Sequence, residues 1–175
     1  MRRSIALLAL ILLPSCRVNM PWQPATEVQV YPAGVIAGIQ ARTPLGQGAT
    51  FFVRGAYNDT DRRDFGEHDE EEGGGPGIGI GLRRDYLPAA AETWFFGARL
   101  DLWQLEIDWR EDDGASGTTD ILVLQPAGEV GYRVRRSRGA VIEFAASLGA
   151  EVNVDTDGED VGEGAILLLG VTFVL

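Results

Sequence analysis

The stretch Ile142–Val154, IEFAASLGAEVNV, decides the fold class of this chain. Its apolar side chains recur at every second position from Ile142 to Val154, and the positions between them carry Glu143, Glu151 or a small or polar residue. Successive side chains of an extended strand point to opposite faces of a sheet, so this alternation indicates a β-strand with one apolar face.

Seven runs of this kind follow one another, with no convincing helical stretch between them. They cover residues 28–42, 48–58, 76–86, 92–109, 118–135, 139–154 and 162–175. Short connections alternate with longer polar ones, which is typical of an up-and-down meander that closes into a barrel. We therefore expect an all-β, antiparallel up-and-down barrel of about eight strands.

The number of strands stays open at this point. An antiparallel barrel with both termini at one end has an even number of strands, and only seven runs are visible. Residues 16–27 are either an N-terminal lead or the missing strand, although Pro21 and Pro24 argue against an unbroken one.

The run 92–109 changes phase within its length. Its apolar side chains stand at even positions up to Leu102 and at odd positions from Trp103 onward. A β-bulge produces such a change, so the sequence predicts one at this point. Gln104, Glu106 and Asp108 occupy the alternate positions beyond it, which predicts that the strand continues past a membrane into water.

The volume of the side chains indicates which face lies inside. The interior of an eight-stranded barrel is just wide enough for side chains to fill, and the apolar face carries too many bulky groups for it, so that face should contact lipid. The other face combines many glycines with charges of both signs, which can pair inside the barrel. The predicted interior charges are Arg54, Arg99, Asp101, Glu129, Arg133, Glu143 and Glu151.

The N-terminus resembles a bacterial lipoprotein signal. Arg2 and Arg3 precede a short apolar stretch, and Leu13-Pro14-Ser15-Cys16 then stands where such a signal is cut. The resemblance implies that residues 1–15 are removed and that Cys16 is lipidated. An ordinary cleaved signal with an incidental cysteine is the alternative. Because Cys16 is the one cysteine of the sequence, no intramolecular disulfide can form.

The stretch from residue 28 to residue 175 resembles small bacterial outer-membrane β-barrels of the OmpA and OmpX type. The final strand matches their alternation at Leu167, Leu169, Val171 and Phe173, and Leu175 replaces the usual terminal aromatic residue. The resemblance implies a non-enzymatic protein of the bacterial outer membrane, with a structural or surface-interaction role. Its implied partners are outer-membrane lipid and the insertion machinery. No surface ligand is indicated.

The alternative is a lipid-anchored, soluble periplasmic barrel whose apolar face lies inside and binds a lipophilic ligand. A net charge of −11 at pH 7 argues against a nucleic-acid partner for either barrel.

Candidate chemistry is sparse. His68, the single histidine, lies in the acidic loop 64–75, where a solvated loop is a better explanation than a metal site. The segment Asn153–Gly158 resembles the start of a calcium loop, but Gly164 replaces the glutamate expected at its twelfth position. The glycines at 73–81 precede no lysine and no helix, so they do not form a phosphate cradle. We predict no catalytic residue, no metal site and no cofactor.

Overall fold

A computed structural model of the chain describes residues 22–62, 66–136 and 139–175, and these form one closed antiparallel barrel. Its eight strands are β1 (Gln23–Tyr31), β2 (Gly34–Gly46), β3 (Ala49–Asp61), β4 (Glu70–Asp85), β5 (Glu92–Arg110), β6 (Ser116–Arg135), β7 (Val141–Asp157) and β8 (Gly164–Val174). Each strand pairs with its neighbours in sequence, and β8 pairs with β1. The predicted fold class is confirmed.

No helix among the described residues is long and apolar enough to cross a membrane.

The missing strand lies at the N-terminal side of the predicted barrel. The expected run 28–42 is two strands, because the chain turns at residues 32–33 and β2 then pairs antiparallel with β1. Strand β1 begins at Gln23, so the barrel starts before residue 28 and includes part of the expected lead. Pro24 lies at the second position of the strand, where it interrupts little of the ladder.

The prediction of a β-bulge in the run 92–109 is wrong. Strand β5 pairs with β4 and β6 without a shift of register, and its odd-numbered residues face inward along the whole strand. The apolar pattern changes phase because the surroundings change: Leu102 faces outward, whereas Trp103 and Leu105 are buried inside. Register shifts occur elsewhere, between Pro44 and Gly46 and between Leu122 and Val123.

The two ends of the barrel carry different connections. One end, here called the terminal end, carries the start of β1, the end of β8 and the connections 47–48, 86–91 and 136–140. The other, here called the loop end, carries the connections 32–33, 62–69, 111–115 and 158–163. Strands β4 to β7 are longer than the others and extend the wall toward the loop end.

Candidate functional site

An apolar belt covers the outside of the barrel. Its side chains come from the outward positions of all eight strands, and large ones such as Ile39, Ile78 and Leu148 are about two-thirds exposed. Toward the loop end the outward positions become acidic: Glu106 pairs with Asp120, and both face out. Like charges directly opposite one another repel, and water screens them better than lipid does. The loop end of the wall therefore suits an aqueous environment.

The structure places all seven predicted interior charges inside the barrel, where each is at least nine-tenths buried. Arg54 lies 2.9 Å from Asp101, and Arg99 lies 3.2 Å from the same carboxylate. Arg133 contacts Glu143 at 2.7 Å. The remaining two, Glu129 and Glu151, pair with arginines that the sequence analysis did not select.

Six further charged side chains complete these networks: Glu27, Arg42, Arg62, Glu71, Arg83 and Asp85. Arg83 lies between two carboxylates, at 2.5 Å from Glu129 and 2.6 Å from Glu143. Arg42 donates two hydrogen bonds to Glu143, at 2.8 and 2.9 Å. The alternation of inward and outward positions along each strand was the signal that could have identified these six residues in the sequence. Glu27 was missed because it precedes residue 28, where the barrel was expected to begin. Arg83 was missed because it stands beside Arg84, which faces outward.

Aromatic rings fill the interior where glycines leave room. A Cβ atom added to Gly77 would lie 2.1 Å from the Trp103 ring, and one added to Gly81 would lie 2.3 Å from Phe52. Guanidinium groups stack on these rings. Arg54 lies 5.3 Å from the centre of the Trp103 ring, and Arg83 lies 4.7 Å from that of Phe52. Such cation–π contacts strengthen when water is excluded.

An apolar cluster begins at Trp103 and occupies the interior from there toward the loop end. Its buried members are Ile36, Trp103, Leu105, Ile107, Ile121, Val123, Val161, Ile166 and Leu168. The sequence analysis missed this cluster because it expected a polar interior along the whole barrel. Beyond the apolar belt the outward positions of β5 are polar, at Gln104, Glu106 and Asp108, and the apolar side chains turn inward as in a soluble barrel.

Glu71 and Arg62 close the interior above the apolar cluster. The carboxylate of Glu71 accepts hydrogen bonds from the backbone N–H groups of Glu67, His68 and Gly162. The guanidinium of Arg62 donates to the carbonyl of Gly162 and contacts Glu151 at 3.1 Å. These contacts tie the connections 62–69 and 158–163 to the barrel.

His68 joins three connections at the loop end. Its ring stacks on Trp109 at 4.3 Å, Nδ1 lies 2.5 Å from Glu111, and Nε2 lies 2.9 Å from the carbonyl oxygen of Asp160. Burial lowers the pKa of this imidazole, but the bonds to Glu111 and Asp160 outweigh burial and raise the pKa above its ordinary value. Both partners accept hydrogen bonds, so the protonated ring satisfies both and the neutral ring satisfies one.

The other candidate residues do not converge on a site. The expected signal 1–15 and Cys16 lie outside the described residues, as does Asp64 of the acidic loop. Within the described part of the chain, no group of three or more His, Cys, Asp or Glu side chains is arranged to hold a metal ion. In the calcium-like segment, the backbone N–H of Asn153 donates to Glu163 and its side-chain amide donates to the carbonyl of Val161.

The fold is that of the small eight-stranded outer-membrane β-barrels. The chain is similar to the N-terminal β-barrel domain of Pseudomonas aeruginosa OprF, with 14% identity and a TM-score of 0.52 over 88% of this chain and 96% of that one. It is similar to Neisserial surface protein A, NspA, with 15% identity and a TM-score of 0.54 over 86% and 92% of the two chains. No protein-family model matches the sequence, and no curated protein does. At these identities the likeness shows the fold.

Proposed function

We propose that this protein is a non-enzymatic β-barrel of the bacterial outer membrane with a structural or surface-interaction role. The observation that carries the proposal is the distribution of side chains across the wall. Apolar side chains form a continuous outer belt, while paired arginines and carboxylates lie inside. The terminal end faces the periplasm, and the acidic loop end faces the cell exterior.

The energetics favour lipid around the belt. Soluble proteins rarely expose continuous apolar patches larger than a few hundred Å², whereas here the belt surrounds the barrel. An arginine turned toward the bilayer midplane would cost about 2 to 4 kcal/mol. The barrel avoids this cost because Arg54, Arg83 and Arg99 all face inward, where Glu27, Glu129 and Asp101 lie beside them.

The packed interior argues for a closed barrel rather than a pore. Phe52 and Phe95 fill the middle, and the apolar cluster, which includes Trp103, lies between them and the loop end. Ions cross such a dry constriction poorly because they would lose their hydration. In planar bilayers we expect no stepwise conductance from the folded protein.

The alternative calyx, a soluble barrel with a lipophilic ligand inside, requires the opposite arrangement of faces. Its apolar surface would line the interior, whereas here the middle of the barrel holds ion pairs such as Arg54–Glu27 at 2.8 Å.

Detergent dependence of the Cys16→Ser protein tests the proposal without any contribution from a lipid anchor. We expect the variant to need detergent to stay monodisperse, to fractionate with outer membranes, and to migrate differently in gels before and after heating. A variant that stays folded and monomeric in buffer alone would contradict the proposal and favour the soluble barrel.

A further inference from the structure

The seam between β1 and β8 is the shortest in the barrel. Its ladder runs from the Ala25–Val174 pair to the Val30–Leu169 pair, whereas β8 continues as far as Gly164. Strand β1 ends at Tyr31 because the chain turns into β2. Among the described residues, the part of β8 from Gly164 to Leu168, on the loop-end side of Leu169, therefore pairs only with β7. The barrel wall has a notch there, toward the loop end of the apolar belt.

A cavity of about 200 Å³ occupies this notch. Residues 31–33 form one side of it and residues 164–167 form the other. Its floor includes Gly162 together with Arg62 and Glu151, which are 2% and 8% exposed, and the exposed Glu163 lies at its rim. The notch therefore connects the lipid-facing surface with buried polar groups of the interior.

An apolar groove continues from the notch down the outer wall. Its volume is about 550 Å³, and it begins at the same seam, at Val28 and Val30 of β1 and Leu169 and Val171 of β8, and crosses β7 and β6 to reach Trp94 of β5. Small residues on its floor and aromatic rings beside it give it room for an extended chain; they include Gly131, Ala145, Ala146, Gly170, Trp94 and Phe144. Leu167 lines the notch and Leu169 lines the groove, and because these residues stand two apart on the same outward face of β8, the two cavities adjoin. One elongated ligand can occupy both.

The charges of the notch select the polar end of such a ligand. Arg62 is the cation at the floor, and it contacts Glu151 at 3.1 Å and Glu71 at 3.6 Å. Glu163 adds another carboxylate at the rim, where one oxygen accepts the Asn153 N–H and the side chain stays exposed. Carboxylates thus outnumber guanidinium groups, which favours a head group with a positive charge and hydrogen-bond donors over an anionic one.

We propose that the notch and the groove together bind one lipid molecule, with an acyl chain in the groove and an ammonium-bearing head group in the notch. The ammonium group lies beside the Glu163 carboxylate, and the acyl chain lies on the outer face over the Val30–Leu169 pair. This proposal rests on the membrane role proposed above. It assigns the β1–β8 seam a selective lipid site, in contrast to the rest of the belt, which contacts bulk lipid.

Native mass spectrometry of the full protein tests the site. The protein is released from detergent that contains equal amounts of phosphatidylethanolamine and phosphatidylglycerol with identical acyl chains. We expect the protein to retain about threefold more phosphatidylethanolamine than phosphatidylglycerol. A preference of this size corresponds to one exposed ion pair, which contributes less than about 1 kcal/mol. Glu163→Gln should remove this preference, while Glu159→Gln in the same connection, outside the notch, should keep it.

A second pair of variants tests the cavity by volume rather than by charge. Ala165→Phe places a ring in the notch and should lower retention of phosphatidylethanolamine severalfold. Ala98→Phe places the same ring on the outer face of β5, away from the seam, and should leave retention unchanged.

Equal retention of the two lipids, or equal effects within either pair of variants, would overturn the site. A barrel that needs detergent and shifts on heating, yet lacks the lipid preference, would leave the proposed membrane role standing. A protein that fails those two folding assays would contradict both proposals.

Discussion

Glu143→Gln should destabilise the barrel more than any exposed charge substitution. The Glu143 carboxylate is 1% exposed and contacts Arg42, Arg83 and Arg133 at 2.6 to 2.8 Å. Glutamine keeps the shape but removes the charge that holds three guanidinium groups together. Breaking a buried pair costs about 3 to 5 kcal/mol, against a typical folding free energy of about 5 to 15 kcal/mol. We expect a loss near the upper end, because three arginines are left facing one another.

Urea unfolding in lipid vesicles, followed by tryptophan fluorescence and by heat-dependent gel migration, measures this loss. The matched control is Arg110→Gln, which breaks the Arg110–Glu70 pair at 2.9 Å on the exposed loop end. Exposed pairs contribute roughly 0 to 1 kcal/mol, so the control should change little. If the two variants lost the same free energy, the interior would be water-filled and screened, and the reasoning from a dry ion-paired core would be refuted.

Three further substitutions test other parts of the structure. Gly77→Ala should cost about 1 to 3 kcal/mol in the same urea assay because its Cβ meets a tryptophan ring, whereas Gly128→Ala, with open space around it, should cost nothing. Leu105→Ala should cost about 2 to 5 kcal/mol because it opens a cavity in the apolar cluster, and a cost no larger than that of the outward-facing Leu102→Ala would refute the continuous register of β5. The pKa of His68 is raised above 6.5, so its stabilisation of the loop end is fully present below pH 6.5 and lost as the pH rises through the raised pKa. Limited proteolysis of the loop end should accordingly accelerate at alkaline pH, and His68→Gln should remove most of that pH dependence.

Alternation predicted the fold class, and alternation together with side-chain volume predicted which face of the wall lies outward. A period of two, read with side-chain volume, was enough to place Ile78, Phe96 and Leu148 outside, because an eight-stranded barrel has no room for them inside. The turn at 32–33 was missed because apolar residues continue on both sides of it. The outward positions pass from even numbers, as at Val30, to odd numbers, as at Val35, and that change of phase marks the turn.

The chemistry of the interior could be predicted only in part. Inward phase identified Arg54 and Glu143, but it could not show which carboxylate meets which arginine. Pairing depends on the register between strands distant in sequence, as for Arg42 with Glu143. The phase change in β5 was ambiguous because a bulge and a change of surroundings give the same pattern. The unbroken pairing of β5 with β4 and β6 shows that the change of surroundings is the cause of the phase change.

Quenching of tryptophan fluorescence by brominated lipids tests most directly which face of the wall contacts the membrane. Trp94 is 59% exposed on the belt, and Trp103 is 1% exposed inside the barrel. In vesicles, Trp94→Phe should remove much of the lipid-quenchable signal, and Trp103→Phe should leave that signal nearly unchanged. Loss of the quenchable signal in Trp103→Phe but not in Trp94→Phe would mean that the faces are reversed, and it would contradict the membrane-spanning barrel.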